Sequence, residues 1–414
     1  MVVDLTKLTD GDCVVLDRLR QNGEAWIVGG WVRDHLSGRK PKELDVATNL
    51  RPAEVKSIFP RSLMVGEKYG TVGVRIDDPN DGDAIWEVTT LREDGGYGDG
   101  RRPDNVNFGS NIEIDLSRRD FTINAMAINK DGDVIDPHGG RKDLASGIVR
   151  SVGNAEERIG EDGLRLMRAF RFLEQGGAKL RVLDGNLSIA ISSNTRMLER
   201  ISKERIWSEL KLILSGPNSP EIVQLMQEHS VMSVILGGIS CNGAAGRSNY
   251  HCVNLALICR DDGKSGQDLS DLLTEKLRLS KEEASSVSFL HDCRGIELDH
   301  SEGSARRFRA ALPQSRQNEV IEYLSGLEKD VSQFKHVLEN LGDLVVGNAP
   351  LVDGHTLSNV TGLDPGRRLG RLKGWLHRIQ IEEDISKTDE VLSRLRGINW
   401  ENSDHEMWPI LSWP

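Results

Sequence analysis

The chain has 414 residues and only 5 cysteines, at Cys13, Cys241, Cys252, Cys259 and Cys293. The count is odd and no Cys-x-x-Cys pair occurs, which argues against a disulfide scaffold and a thiolate zinc site. Aromatic residues make up 5% of the sequence. There is no run of about 18 apolar residues that could span a bilayer. Met1-Val2-Val3-Asp4 lacks a basic-then-apolar leader, and the reading is a cytoplasmic protein with no membrane association. Positive charge is in deficit too. The 53 basic and 64 acidic residues leave a net charge of −11, so any phosphate partner needs a local basic patch rather than whole-molecule attraction.

The length suits two to four globular units. Strand signals crowd the N-terminal third. Trp26 to Val28, Glu43 to Ala47, Thr71 to Ile76 and Ala84 to Thr90 are short, rich in β-branched residues and bounded by turn formers. Helices are expected over Val32–Ser37 and Pro52–Phe59, the latter with proline at a first helical position. Beyond about Gly153 the pattern is helical. Breaks are expected at 215–220, 237–249, 260–268 and 347–350, with a last helix after Asp364-Pro365-Gly366. The fold class is α+β: a head containing a small mixed β-sheet, then an all-helical neck, body and tail. The expected boundaries are 1–138 for the head, 139–220 for the neck, 221–345 for the body and 346–414 for the tail. No solenoid repeat or low-complexity tract is visible.

Four segments carry chemistry. Gly29-Gly30-Trp31-Val32-Arg33-Asp34 lies between a strand and a helix, where glycines admit a close ligand and Arg33 offers a fork for phosphate. Taken alone, such a turn is ordinary strand-to-helix punctuation. In Lys42-Glu43-Leu44-Asp45-Val46, a strand would send Glu43 and Asp45 to one face, where adjacent carboxylates repel unless a cation lies between them. Glu87 interrupts another strand and is a candidate third acid; three carboxylates could hold two ions that activate a hydroxyl and stabilise a leaving pyrophosphate. The third segment, Asp115 to Ala127, packs Arg118, Arg119, Asp120 and Asn124 into an apolar context. Arg119 suits a triphosphate and Asn124 a ribose.

In the fourth segment, Gly160 to Phe172, helical spacing places Leu166, Met167, Phe170 and Leu173 on one face. Arg165, Arg168 and Arg171 climb the opposite side from Asp162. Such a ridge is ordinarily solvated or ion-paired. It also allows a sharper chemistry. Cytosine and adenine each present an amino donor beside a ring-nitrogen acceptor, matched by one Asp and one Arg. Uracil and guanine present the reverse order and would leave both protein groups mispaired, at roughly 1–3 kcal/mol each.

In this order the segments resemble the class II tRNA nucleotidyltransferase and bacterial poly(A) polymerase family, the CCA-adding enzymes. The resemblance is strong over about residues 20 to 215 and weak at the C-terminus. Gly-Gly-Trp-Val-Arg-Asp with Glu-Leu-Asp-Val-Ala-Thr resembles the family's first motif, and Arg-Arg-Asp-Phe-Thr-Ile-Asn-Ala its second. Asp136 to Leu144 is similar to the third, a flexible connection. Glu161-Asp162-Gly163-Leu164-Arg165 is similar to the fourth, an amino-acid template for bases, and Ser202 to Leu210 to the fifth, a neck-stabilising helix. Five motifs in register are a specific match.

The resemblance implies an enzyme that adds C, C and A to the tRNA 3′ end from CTP and ATP with Mg²⁺. It implies Glu43 and Asp45 as metal ligands, with Glu87 completing the catalytic acids. Nucleotide contacts would be Gly29, Gly30, Arg33, Arg119, Asn124, Asp162, Arg165, Arg168 and Arg171. The family usually has Asp at both acidic positions of the first motif. Glu43 departs from that pattern, and its carboxylate sits one methylene farther out, which makes Asp45 the less replaceable ligand. Leu91 to Pro103 resembles the glycine-rich loop that CC-only enzymes lack, so a CC-only enzyme is disfavoured. A-only addition and polyadenylation remain as alternatives, and a non-catalytic tRNA-binding protein is the rival from another class. The tail segment is similar to the family's region that meets the acceptor arm. It offers Arg367, Arg368, Arg371 and Lys373 to RNA, although a charge run is also simply how a solvated helix looks. No protein partner is expected. His229, His251 and His291 lack metal-ligand spacing.

Overall fold

The computed structural model describes residues 3–66, 70–76, 84–95, 106–174 and 179–414, with backbone alone at 64–66, 94 and 106. The first helix, α1 (Asp10–Arg20), opens with a capping box in which Thr9 and Asp12 exchange side-chain-to-backbone hydrogen bonds. It is followed by β1 (Ala25–Val28), α2 (Gly29–Leu36), β2 (Asp45–Thr48), α3 (Pro52–Ile58), β3 (Leu63–Gly66), β4 (Thr71–Val74) and β5 (Trp86–Thr90). A separate ribbon pairs β6 (Arg92–Asp94) with β7 (Val106–Phe108). Then come α4 (Ile112–Ser117), β8 (Ala127–Ile128) and β9 (Val134–Ile135).

Seven strands form one sheet in the order β3-β4-β5-β2-β1-β8-β9. Strands β2 and β5 run parallel, and their neighbours pair antiparallel. Successive side chains of a strand point to opposite faces, and the cores divide accordingly. Ala25, Ile27, Val46, Trp86 and Val88 pack with Val15 and Leu19 of α1 and Val55 of α3. On the other face Trp26, Val28 and Ala47 pack with Ile112 and Leu116 of α4. The alternation sends Asp45 and Glu87 away from the α1/α3 side. They are register partners across the parallel pair.

The first compact unit, Met1–Gly237, continues through α5 (Gly140–Ser146), β10 (Ile148–Val149), α6 (Ala155–Glu161), α7 (Leu164–Arg171) and β11 (Val182–Leu183). It ends with α8 (Gly185–Asn194), α9 (Lys203–Leu214), α10 (Ser219–Glu228) and α11 (Val231–Ile235). The second unit, Gly238–Pro414, is helical among its described residues. It contains α12 (His251–Ile258), α13 (Gly266–Leu277), α14 (Lys281–Asp292), α15 (Glu302–Ala311), α16 (Gln314–Gly326) and α17 (Ser332–Asn340), then α18 (Gly354–Thr361), α19 (Arg367–Glu383) and α20 (Thr388–Ser393). Leu357, Leu369, Leu372, Leu376 and Trp408 form one of its cores. Among the described residues no helix is long and apolar enough to cross a membrane.

Several sequence expectations shift. The strand expected from Glu43 starts at Asp45, and Glu43 sits exposed in the preceding bend. Helix α2 starts at Gly29 rather than Val32 because Gly29 takes a positive φ of 68° and turns the chain directly out of β1. The region after Gly153 is not wholly helical: the two-residue strand β11 pairs in parallel with β10, which precedes it, too briefly for periodicity to reveal. Helix α19 begins at Arg367 as expected, but α20 follows it. The expected glycine-rich loop falls, from 96 onward, outside the described residues.

Gly140, at the start of α5, marks a close approach of two backbones. A Cβ there would lie 2.1 Å from the carbonyl oxygen of Thr122, and neither backbone can move aside cheaply. Gly140→Ala is expected to destabilise the first unit by about 2 kcal/mol, seen as a fall of roughly 5 °C in a thermal melt. Gly160→Ala, where an added Cβ meets nothing within 4 Å, should leave the melt unchanged or raise it slightly.

Candidate active site

The solvent-facing side of the sheet borders a cavity of about 730 Å³ within the first unit. Val28, Gly29, Gly30, Arg33, Glu43, Asp45, Thr71, Glu87 and Thr89 line it from the sheet and α2. Arg118, Arg119, Asp120 and Asn124 close it from the segment after α4, and Asp162, Arg165, Arg168, Arg171 and Phe172 from α7 and its flanks. Every head and neck residue expected from sequence therefore borders one space: Gly29, Gly30, Arg33, Glu43, Asp45, Glu87, Arg119, Asn124, Asp162, Arg165, Arg168 and Arg171.

At one end lie the acids. Gly29 touches Asp45 so closely that an added Cβ would stand 2.7 Å from Asp45 Oδ2, and Gly30 N–H donates to the same oxygen at 3.3 Å. Burial pushes the Asp45 carboxyl above its ordinary range, against the pull of the Gly30 N–H and of Arg119, and Glu43 adds to the push. Glu87 is raised by burial first, then by Asp45 and Glu43. Although Glu43 is off the strand, it still repels both acids. Among the described residues no three His, Cys, Asp or Glu side chains group tightly enough to hold an ion unaided. The acids are hard oxygen donors under mutual repulsion, which fits a divalent cation that takes its remaining ligands from water and substrate phosphate.

Opposite them stands a wall of arginines, each held by a named partner. Arg33 Nη1 donates to Asn124 Oδ1 at 2.7 Å, and Asn124 Nδ2 donates to Asp120 Oδ1 at 3.1 Å. Asp120 Oδ2 accepts from Arg168 Nε at 2.7 Å. Arg168 also faces Glu209 at 3.6 Å, and Glu209 accepts from Arg171 Nε. Arg119 pairs with Asp115 and reaches the Asn124 carbonyl. The expected apolar face of α7 is buried, with Leu166, Met167, Phe170 and Leu173 fully inside. The arginine ridge is half-buried and ion-paired. Asn124 thus has a structural duty, linking Arg33 to Asp120, beside any contact with ligand.

Asp162 and Arg165 are held apart rather than paired with each other. Asp162 Oδ1 caps α7 by accepting from Leu164 N–H, and Oδ2 accepts from Arg205 Nη2 at 2.8 Å. Arg165 donates to Glu161 and to the carbonyls of Arg158 and Arg118. The Phe172 ring has three guanidinium carbons around it, Arg171 at 4.1 Å, Arg33 at 5.1 Å and Arg168 at 5.3 Å. Sequence reading gave Phe172, Asp120, Arg205 and Glu209 no site role. Asp120 had a signal, as an acid inside the dense polar cluster of the third segment; Arg205 and Glu209 lie too far along the chain for spacing to tie them to α7.

The tail strip lies in the second unit. Arg367 and Arg371 pair with Glu406. Arg368 donates to the carbonyls of Trp400 and Glu401 and lies over Trp408. Lys373 is half-exposed. The arginines of the strip are thus partly engaged with the C-terminal segment.

The central link in the wall is the Asp120–Arg168 pair. Burial alone would raise the Asp120 carboxyl, but Arg168, Asn124 and the Phe121 N–H outweigh it and hold it at about 2, against an ordinary 3.8. Its stabilisation is present above pH 3.8 and fades as pH falls through about 2, amounting to about 2 kcal/mol. Asp120→Asn should lower stability at pH 6 by about that amount and leave less stability to lose between pH 4 and 2. Denaturant unfolding of the two proteins at several pH values measures both effects.

Residues 25–150 match the Poly A polymerase head domain family, and residues 183–241 the family described as the probable RNA and SrmB-binding site of polymerase A. The CCA-adding enzyme of Geobacillus thermodenitrificans is 43% identical over 230 residues, which are 55% of this chain and 55% of that enzyme. That of Lactobacillus delbrueckii subsp. bulgaricus is 40% identical over 257 residues, 61% of this chain and 59% of its own. The matched stretch thus spans little more than half the length of these curated relatives. In three dimensions the crystal structure of the Bacillus stearothermophilus CCA-adding enzyme in complex with CTP superposes with a TM-score of 0.78 at 26% identity, covering 94% of this chain and 97% of that one. The Thermotoga maritima CCA-adding enzyme complexed with tRNA shares the fold at a TM-score of 0.66 and 20% identity, covering 96% of this chain and 98% of its own. The chain is thus similar to the Poly A polymerase head domain family over residues 25–150, and its fold is that of the CCA-adding enzymes.

Proposed function

We propose that the protein is a CCA-adding tRNA nucleotidyltransferase of the cytoplasm, adding C, C and A to the tRNA 3′ end from CTP and ATP. The observation that carries this reading is a single cavity with carboxylates at one end and arginines along the facing wall. Its similarity to enzymes named for that activity supports it. Residues 1–138 would supply catalysis, 139–220 base selection, and the tail, through Arg367, Arg368, Arg371 and Lys373, part of the hold on the acceptor arm. The tail's share is limited by the ion pairs it already makes.

The chemistry follows from the geometry. The terminal ribose hydroxyl loses its proton to solvent and attacks the α-phosphorus of the incoming nucleotide; a P–O bond forms, and the bond from the α-phosphorus to the oxygen bridging the β-phosphate breaks, its electron pair leaving with pyrophosphate. Mg²⁺, held by Asp45 and Glu43 with Glu87 nearby, would lower the hydroxyl's pKa and offset charge on the leaving phosphates. Gly29 and Gly30 leave room for phosphate beside Asp45, and Arg33, Arg119 and Arg171 offer charge-assisted donors to the triphosphate. The wall is already assembled, so little reorganisation accompanies the reaction.

Base choice would rest on Asp162 and Arg165. Each is held by a different neighbour, so neither neutralises the other, and both keep capacity toward the cavity. A carboxylate oxygen carries two acceptor positions, so Asp162 can accept from a base amino group while it keeps Arg205 and the Leu164 N–H.

The test is incubation with tRNA lacking its terminal triplet, all four nucleoside triphosphates and Mg²⁺, followed by end sequencing. Three added residues reading CCA are expected. One added A, a long ladder or no product would each replace this reading. Asp45→Asn should reduce the rate by at least about 100-fold, while Glu43→Asp should retain or raise activity. Arg165→Ala should erode the preference for C and A over U and G by roughly 10- to 100-fold, the worth of one or two mispaired buried groups.

A further inference from the structure

Besides its acids, the wet face of the sheet carries two hydroxyl side chains. Thr71 in β4 and Thr89 in β5 line the same cavity as Asp45 and Glu87. They are register partners across an antiparallel pair, and their hydroxyl oxygens meet at 3.1 Å. Both residues are half-buried. Other threonines of these strands are spent on the fold: Thr48 Oγ1 donates to the Glu24 carbonyl at 2.7 Å, and Thr90 Oγ1 to that of Leu50 at 2.8 Å. Among the described residues the Thr71 and Thr89 hydroxyls bond only to each other. That bond consumes one of their two O–H groups, so the other can still donate and both oxygens can still accept.

Strand order fixes what the pair faces. Across the sheet β4 is followed by β5, β2 and β1. Alternation puts Thr89 on the same face as Glu87, so the acids stand between the hydroxyls and the turn out of β1. Arg33 and Arg119 are on that far side, where a Cβ added at Gly30 would lie 3.7 Å from Arg33 and one at Gly29 would lie 3.4 Å from Arg119. On the near side Gly73, the β4 partner of Glu87, has no side chain to crowd the carboxylate, and a strand glycine admits close approach of a ligand. Thr89 is two residues on from Glu87, about 7 Å along the strand. That leaves room for one sugar between the hydroxyl pair and the acid.

In nucleotidyl transfer the attacking and leaving oxygens lie roughly in line through phosphorus. A triphosphate held by the arginines on the β1 side is therefore attacked from across the acids, on the β4 side. A ribose carries its 2′-hydroxyl on the carbon next to the 3′-hydroxyl, so a grip on the first aims the second. The 2′-hydroxyl both donates and accepts, as the threonine pair does. We propose that Thr71 and Thr89 bind the 2′-hydroxyl of the last nucleotide of the RNA and so direct its 3′-hydroxyl toward Glu87. They make the acceptor a ribose end rather than a deoxyribose end. The inference rests on the nucleotidyl transfer to RNA proposed above.

The test uses Thr71→Val/Thr89→Val, which removes both hydroxyls and keeps the shape, an exchange that the fold should barely register. Wild type and variant receive tRNA lacking its terminal triplet and ending either in ribose or in 2′-deoxyribose with the 3′-hydroxyl intact. Wild type should use the deoxy end roughly 3- to 10-fold less well in kcat/KM, the worth of one hydrogen bond. The variant should lose about the same factor on the ribose end and nothing further on the deoxy end, while the KM for CTP holds. Thr71→Ser/Thr89→Ser keeps both hydroxyls and should keep the wild-type preference. A matching thermal melt excludes misfolding. A wild-type protein indifferent to the terminal 2′-hydroxyl, or a valine variant that still discriminates by the wild-type factor, would overturn the proposal. So would a rise in the KM for CTP alone, which would give the hydroxyls to the incoming nucleotide. A wild-type protein that adds nothing to either end overturns the underlying activity instead, so the two failures are distinguishable.

Discussion

The site depends on the parallel pairing of β2 with β5. It sets Asp45 beside Glu87 in register on one face of the sheet, where burial and proximity make both carboxylates costly to ionise. Strand geometry fixes the direction of each side chain, so the acids cannot swing apart without breaking alternation with the core behind them. Val46, Val88 and Trp86 are locked into that core. The hydrophobic side of the sheet thereby holds a strained arrangement on its wet side, and a divalent cation is the species best suited to relieve it. Glu43 is under no such constraint. Sitting in a bend, it can move toward a metal without disturbing the sheet, which offsets its extra methylene.

The arginine wall solves the opposite problem. Cations half-buried around one cavity repel each other and lose hydration, so each must be compensated without losing its reach. The solution is alternation: Arg33, Asn124, Asp120, Arg168, Glu209 and Arg171 form one continuous chain of donors and acceptors. Phe172 presents its ring to three of the cations, which are drawn to its electron-rich face. Burial pulls the Arg171 guanidinium below its ordinary pKa, against the pull of Glu209. Asp120 and Glu209 keep Arg168 raised against the effect of its own burial. A triphosphate would therefore meet charges fixed in place, not flexible side chains that must first be ordered.

Much of this was legible in the sequence, because close spacing reports local geometry. Asp45 with Glu87, the Gly29-Gly30 turn and the Asp162-to-Arg171 helix were candidates from strand and helix periodicity plus the chemistry of phosphate and base, and the resemblance of the ordered motifs to a known family is what implied a shared site. What spacing could not report was pairing across the fold. Arg205 holds Asp162 across 43 residues and Glu209 holds Arg171 across 38; no local pattern marks these partners. The start of β2 was misplaced because Glu43 continues the apparent alternation of Asp45 and Ala47, while the turn from the Gly38–Pro41 loop straightens only at Asp45. The strands β10 and β11 were invisible because two residues carry no period.

A net charge of −11 and the proposed RNA substrate are compatible because charge acts over short distances in salt. At physiological ionic strength the Debye length is about 8 Å, so acids beyond that distance barely oppose a phosphate seated among arginines. What the acidic surface does change is the approach from solution. It removes non-specific attraction to bulk nucleic acid, which would sequester an enzyme acting, as proposed, on one kind of chain end. An RNA end reaching the arginine wall would meet positive charge that the rest of an acidic chain does not offer. Discrimination between an RNA end and the rest of the RNA would then follow from shape and from where the positive charge is buried, without a sequence being read.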